Sequence, residues 1–235
     1  MGRLPRRKRI GDPVPSDVSR EAAARRSPES QAHCEPGAGI DVSRETRARL
    51  DEFAALLLRW NARINLIGTA EPAHLWQRHI ADALQLVSLV PPGTKRGICL
   101  GSGAGFPGLV LALALAIPFD LVESDQRKAA FLREAARISG APARIWPVRA
   151  ERATLEPAAL ITARALAPLP DLLALAAPLL APGGVCLFPK GANVENELTA
   201  TRAGWQMRIE RFPSRTSAGG IILRLSEIER AGAPG

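Results

Sequence analysis

The sequence has no tyrosine, and aromatic residues make up only 4% of it. Its three cysteines, Cys34, Cys99 and Cys186, are scattered with no C-x-x-C pair. Cysteines so few and so dispersed build neither a disulfide framework nor a zinc site, so no metal is expected and the reducing cytoplasm is the expected compartment. The longest apolar run, Leu109–Phe119, falls well short of the ~20 residues that span a bilayer, and no membrane partner is expected. Arg3–Arg9 is basic, but no apolar segment follows it, which argues against a secretory signal. No Ser–His–carboxylate arrangement suggests hydrolysis.

What is present is enough for one sizeable core: 235 residues, 46% of them apolar. The net charge of +8 favours an anionic partner, most simply nucleic acid; an arginine-rich solvated surface from biased coding is the plainer alternative. Residues 1–40 are rich in Arg, Pro, Ser, Ala and Gly, and such a composition predicts a disordered extension. They carry an echo, with DVSRE at Asp17–Glu21 and again at Asp41–Glu45, the second copy placed to start a helix with Ser43 as its cap. Residues 41–93 read as a helical cap, 94–228 as the main domain and 229–235 as a disordered tail.

The chain is organised around Ile98–Gly108, ICLGSGAGFPG. A short apolar strand runs into Gly101, Gly103 and Gly105, and Pro107 suits the first turn of the apolar helix that follows. Strand, glycine turn and helix N-terminus together let backbone N–H groups approach a ligand closely. The G-x-G-x-G spacing is not that of a dinucleotide fingerprint, and no Lys-Ser/Thr follows it, so a phosphate-gripping loop is not expected. A ligand-free glycine turn is the bland reading. Phe119–Glu123 reads as the next strand and ends in an acid, Glu123, near the spacing at which nucleotide folds hold a ribose. The alternative for Glu123 is the start of the next helix.

Around this stretch the elements alternate. Leu50, Phe53, Leu57, Trp60 and Ile64 form one helical stripe, and a second helix is predicted from Pro72 to about Val90, stopped by Pro91-Pro92-Gly93. Helices are then expected at Pro107–Ile117, Asp125–Ser139, Leu169–Leu180 and Val194–Ala203. Strands are expected at Ile98–Leu100, Phe119–Glu123, Arg144–Val148, Leu160–Ala163 and Val185–Phe188, with a sharp turn at Pro182–Gly184. Trp205–Phe212 and Gly220–Leu225 read as an antiparallel pair. The pattern is that of an α/β parallel sheet with an antiparallel finish.

In this order the residues resemble the seven-stranded, S-adenosylmethionine-dependent methyltransferases and, more narrowly, the RsmG (GidB) family of 16S ribosomal RNA guanine-N7 methyltransferases. The matching blocks are Trp60-Asn61, Ile64-Asn65-Leu66, Arg78-His79-Ile80-x-Asp82, Gly101–Gly108, Lys128-x-x-Phe131-Leu132, Arg149-Ala150-Glu151, Thr162–Ala165 and Lys190-Gly191. The resemblance implies a Rossmann-like seven-stranded sheet, mostly parallel with one antiparallel strand near the C-terminus, and an N-terminal helical cap. It implies S-adenosylmethionine as cofactor and N7 of a guanosine, guanine-527, in 16S rRNA or the small ribosomal subunit as target; a monomer is the default expectation, and the oligomeric state stays open. Gly101, Gly103, Gly105 and Phe106 would surround the methionine part of the cofactor, Glu123 the ribose, and Ala150-Glu151 the adenine. Arg164 would face the cofactor's reactive end or the guanosine, and Arg149 and Lys190 the RNA. Cys99 stands where the family usually has aspartate, and Glu123 where aspartate is more usual.

Guanine N7 carries a free lone pair, so no base is needed to expose it. The chain accordingly lacks an Asn/Asp-Pro-Pro-Tyr/Phe motif of amino-group methylation and a Pro-Cys nucleophile loop. Catalysis is then positioning, with Arg164 and Lys190 the candidates to bond the guanine O6. His79 reads as a structural hydrogen-bonder against Asp82 or a loop carbonyl, and Trp60 and Trp76 as core. Two other functions stay open: a small-molecule methyltransferase on the same fold, and a catalytically idle RNA-binding assembly factor, which Cys99 raises.

Overall fold

A computed structural model describes residues 42–68 and 72–232. The extension expected over 1–40, with the first DVSRE copy, and the last residues of the tail lie outside the described residues. Helix α1 spans Arg44–Asn61. It starts as the second DVSRE copy suggests, with the Ser43 hydroxyl accepting the Thr46 N–H at 3.1 Å, which satisfies one of the free donors of the first turn. Its stripe of Leu50, Phe53, Leu56 and Leu57 is buried, each side chain contributing about 1.5–3 kcal/mol by leaving water. The helix ends at Asn61, short of Ile64, because the Asn61 side-chain carbonyl turns back to accept the Leu66 and Ile67 N–H groups at 2.9 and 3.0 Å.

The second helix is not continuous as expected. It breaks into a 3-10 turn at Pro72–His74, a π-helical turn at Trp76–Ile80, the short helix α2 at Ala81–Leu84 and another 3-10 turn at Val87–Leu89. A π turn widens the coil by one residue and is met frequently at functional sites; here it carries Arg78 and His79.

The sheet has seven strands: β1 Gly97–Leu100, β2 Phe119–Val122, β3 Ala143–Trp146, β4 Ala158–Ala163, β5 Leu180–Lys190, β6 Trp205–Pro213 and β7 Ile221–Arg230. Their spatial order is β3-β2-β1-β4-β5-β7-β6. β1 to β5 pair in parallel, and β7 runs antiparallel to both β5 and β6. β7 is thus the single antiparallel strand, as expected, but it pairs through Arg230, beyond the expected domain end at 228. The turn expected at Pro182–Gly184 is absorbed into β5 as a bulge, where the register with β4 slips between Ala158 and Leu160.

Strand alternation splits the core in two. Cys99, Leu121, Leu160 and Leu187 face one side, packed with α1, α3 (Gly108–Leu115) and α4 (Gln126–Ser139). Ile98, Leu100, Ile161 and Phe188 face the other, packed with α5 (Leu169–Ala176) and α6 (Val194–Thr201). Helix α4 begins where Asp125 accepts the Arg127 and Lys128 N–H groups, and the Lys128 bond above all holds the Asp125 carboxyl below its ordinary value. Helix α3 starts at Gly108, with Pro107 as the residue before it and the Phe106–Pro107 peptide bond cis. A Cβ on Gly108 would sit 2.5 Å from Cys99 Cβ, so α3 rests directly on β1 at this point.

Candidate active site

The carboxyl ends of β1, β2 and β4 and the cap meet at a cavity of about 690 Å³, a size suited to a small-molecule ligand. Its floor is the glycine loop. Gly101 and Gly103 have φ of +62° and +55°, a region that side chains other than glycine enter at a cost. A Cβ on Gly101 would strike Leu166 Cδ1 at 2.6 Å, whereas one on Gly103 would meet nothing nearer than 3.9 Å. Gly103 therefore leaves room on the cavity side. Gly105 differs from expectation: it is absent from the cavity wall and packs on Phe53 of the cap, 3.2 Å from where its Cβ would lie.

Glu123 sits at the end of β2, buried at 8% exposure. Its two oxygens accept the Gly103 N–H at 2.7 Å and the Asp125 N–H at 2.8 Å. The carboxylate thus ties the glycine loop to the start of α4 while lining the cavity, and each oxygen keeps a further acceptor position. The bond to Asp125 bears out the helix-start reading of Glu123, and the residue also lines the cavity.

Over the loop stands a stack contributed by three elements. Phe106 lies 5.0 Å from the His79 ring in stacked geometry and edge-on to Phe53 at 5.5 Å. The Arg164 guanidinium, at the end of β4, is 5.1 Å from the Phe106 centroid and 2.8 Å from His79 Nδ1. A guanidinium only donates, so Nδ1 is the acceptor of that bond. Arg164 also donates to Asp82 Oδ2 at 3.3 Å. Arg164 thus bonds both His79 and Asp82 and bridges the two. The Asp82 Oδ1 accepts from Thr216 Oγ1 at 2.7 Å and Gln85 Nε2 at 2.8 Å, and Gln85 Oε1 accepts the Arg215 N–H at 2.9 Å. This network links the cap, the β4 loop and the β6–β7 loop.

The expected residues fall into two groups. Gly101, Gly103, Phe106, Glu123, Ala150 and Arg164 line the cavity together. Arg149 and Glu151 do not: both are exposed, because the chain leaves the edge strand β3 in a 3-10 turn at Ala150–Arg152 that turns only Ala150 inward. Arg149 lines a neighbouring groove with Asp125 and Arg152. Lys190 lines a second cavity beside the first. Ile67, Gly68, His79, Ser102, Lys128 and Leu166 also line the first cavity without having been singled out as ligands. The Trp60-Asn61 and Ile64–Leu66 blocks were the available signal for Ile67 and Gly68, since Asn61 holds that loop. Cys99 is fully buried and outside the cavity wall. Burial pushes its thiol up to about 11, so it is neutral at physiological pH. Its exchange for aspartate thus alters the packing beneath the loop and no cavity-lining group. Among the described residues no helix is long and apolar enough to cross a membrane.

Known proteins share this chain's features at two levels. At the level of fold, it is similar to an O-methyltransferase from Bacillus cereus solved in complex with SAH, with a TM-score of 0.53 and 15% identity, covering 74% of this chain and 90% of that one. At the level of sequence, the ribosomal RNA small subunit methyltransferase G of Acidiphilium cryptum is 61% identical, over 81% of this chain and 95% of that protein. Its counterpart from Rhodospirillum centenum is 54% identical, over 83% and 90%. The GidB family model, rRNA small subunit methyltransferase G, matches residues 46–218. With most of the cap, the glycine loop and the Arg164 stack inside that match, the chain belongs to the rRNA small subunit methyltransferase G family.

Proposed function

We propose that this protein is an S-adenosylmethionine-dependent methyltransferase that modifies N7 of a guanosine, guanine-527 by family resemblance, in 16S rRNA, acting as a monomer in the cytoplasm. One observation carries the reading: the glycine loop opens onto a cavity whose other walls are a buried carboxylate, Glu123, and the Phe106–His79–Arg164 stack. The residues fit the donor. The space left at Gly103 admits a backbone-close ligand, the free acceptor positions of Glu123 suit ribose hydroxyls, and Ala150 leaves a small apolar wall for an adenine.

When bound, the donor supplies an electrophilic sulfonium methyl group. The protein's own share is positioning. Gly101, Gly103 and Phe106 hold the methionine end, and Glu123 the ribose. Arg164, anchored by Asp82 and His79, presents a fixed cation at the rim where the target ring approaches. Guanine N7 needs no proton removed, so catalysis requires no base, and orientation with exclusion of water lowers the barrier. Arg149 and Arg152, side by side in the adjoining groove, suit RNA phosphates. The test is to map N7-methylguanosine in small-subunit rRNA from cells with the gene deleted and restored. Loss of one modified guanosine on deletion and its return on restoration support the proposal; an unchanged map rejects it.

A further inference from the structure

The second cavity, about 490 Å³, opens beside the first, and the two share Arg164, Ala165 and Leu166 as a partition. That partition is built under strain. Ala165 has a φ of +52°, a left-handed conformation that a residue with a Cβ holds only where its surroundings impose it, commonly at functional sites. Leu166 presses on Gly101 from one side and is 37% exposed, one of two large apolar side chains left exposed among the described residues.

The polar wall of this second cavity is an ion pair. Lys190, the last residue of β5, donates to Glu197 Oε2 at 2.7 Å and to the Ala167 carbonyl at 3.1 Å. Its side chain is 9% exposed, which leaves the third ammonium hydrogen directed by two fixed bonds. Glu197, on α6, also accepts the Leu169 N–H at 2.8 Å through the same Oε2, standing in for the cap that Pro168 does not give α5. Its other oxygen, Oε1, takes no hydrogen bond from the described residues, and the side chain is 20% exposed. The cavity therefore presents an ammonium donor beside a carboxylate acceptor, next to an exposed leucine.

We infer that this pair reads the target base: Glu197 Oε1 accepts from N1–H and the N2 amine of guanine, Lys190 donates to O6, and Leu166 covers the ring face. The inference rests on the guanosine methyltransferase reading above and adds a specificity-determining residue, Glu197, to it. A base taken out of its stack is recognised at its Watson–Crick edge, and only guanine among the purines of RNA offers two donors beside one acceptor. Adenine sets a lone pair at N1 against the carboxylate. With the N1–N2 edge on Glu197, N7 lies on the far side of the ring, free of the pair.

The experiment uses small subunits reconstituted with 16S rRNA carrying guanosine or inosine at the target position, in single-turnover methyl transfer. Inosine keeps N7, O6 and N1–H but lacks the N2 amine. Wild-type protein is expected to prefer guanosine by about ten- to a hundredfold, the discrimination usual for a directly read base edge. In Glu197→Gln, the amide oxygen keeps the Lys190 and Leu169 bonds while its NH2 group opposes the guanine donors. That variant is expected to lose about a hundredfold in rate on guanosine and to retain less than threefold preference over inosine, with S-adenosylmethionine affinity unchanged. A purely structural Glu197 would slow both substrates equally and keep the preference, which overturns the inference. Equal wild-type rates on guanosine and inosine overturn it without any variant, even where Glu197→Gln fails to fold. Transfer to neither substrate overturns the parent reading instead.

Discussion

Replacing Asp82 tests whether one carboxylate holds the site's three walls together. In Asp82→Ala, Oδ1 bonds to Thr216 and Gln85 and the Oδ2 bond to Arg164 are lost at once. Hydrogen bonds to a charged group contribute about 1.5–3 kcal/mol each, but two facts reduce the sum. The Arg164 bond is long at 3.3 Å, and Gln85, Ser214 and Thr216 still bond one another. With Asp82 and Arg164 only 15% and 23% exposed, breaking the pair leaves a poorly solvated guanidinium. The expected loss is about 3 kcal/mol, or a fall of about 6–12 °C in Tm for a domain of this size. Asp82→Asn separates the arms. Its carbonyl keeps Thr216 and Gln85, while its NH2 faces the guanidinium, so the expected loss is about 1 kcal/mol. Urea denaturation of the two variants measures both values, and calorimetric titration with S-adenosylmethionine reads the release of Arg164. An alanine variant within about 1 kcal/mol of wild type, or an asparagine variant as damaged as the alanine one, refutes the hub.

Four further outcomes follow from the loop and the core. Gly103→Ala adds a methyl that meets no protein atom within 3.9 Å and incurs about 1 kcal/mol of backbone strain; stability drops by that amount while donor affinity falls at least about tenfold by titration, and unchanged affinity places the donor elsewhere. Gly108→Ala drives its Cβ to 2.5 Å from Cys99 Cβ and 2.6 Å from Leu121 Cδ2, so denaturation should register a loss of about 3 kcal/mol by overpacking; a neutral substitution contradicts the close seat of α3 on β1. The raised thiol of Cys99 works against stability in alkali. The folded state holds the proton more tightly than the unfolded chain, so its contribution is complete below pH 9.0 and is lost as pH climbs to about 11. Two units at 1.36 kcal/mol each give about 2–3 kcal/mol, and Cys99→Ala should flatten the stability–pH slope in that window. An equally steep slope in the variant removes Cys99 as its source. Neither Cys99 nor Cys186 should react with DTNB at pH 8 before the protein is denatured, since both are fully buried.

Much of the sheet was legible because its signals are local. The apolar runs at Ile98–Leu100 and Phe119–Val122, the cap at Asp125 and the stop at Gly140 each stand in a few consecutive residues. The site was legible where a side chain sits directly after a strand, as with Glu123 and Arg164. The broken cap helix was not, because a π turn at Trp76–Ile80 has the same apolar spacing as an α-helix over so short a span. The bulge in β5 was hidden for a different reason: Pro182-Gly183-Gly184 signals a bend, and only the pairing of its flanks with β4 keeps it within a strand. Glu197, Gln85 and Thr216 carry no local mark. Their partners lie up to 134 residues away in sequence, and a contact of that kind is set by the packed sheet alone. The same holds in reverse for Arg149 and Glu151, which adjoin a cavity-lining alanine in sequence but are turned to solvent by one 3-10 turn.

The position of β7 between β5 and β6 has a bearing on how the molecule is made. During synthesis β6 emerges before β7 and has no neighbour to bind, and β5 keeps one bare edge, until the strand that separates them has left the ribosome. Two open edges on a nascent sheet invite pairing with other chains. Insertion of one strand closes both and, through Ile221 and Ile222, completes the wall of the second cavity. A polypeptide interrupted anywhere before Ile221 would thus leave β6 unjoined to β5 and the second cavity without two of its lining residues, so one ten-residue strand completes both together.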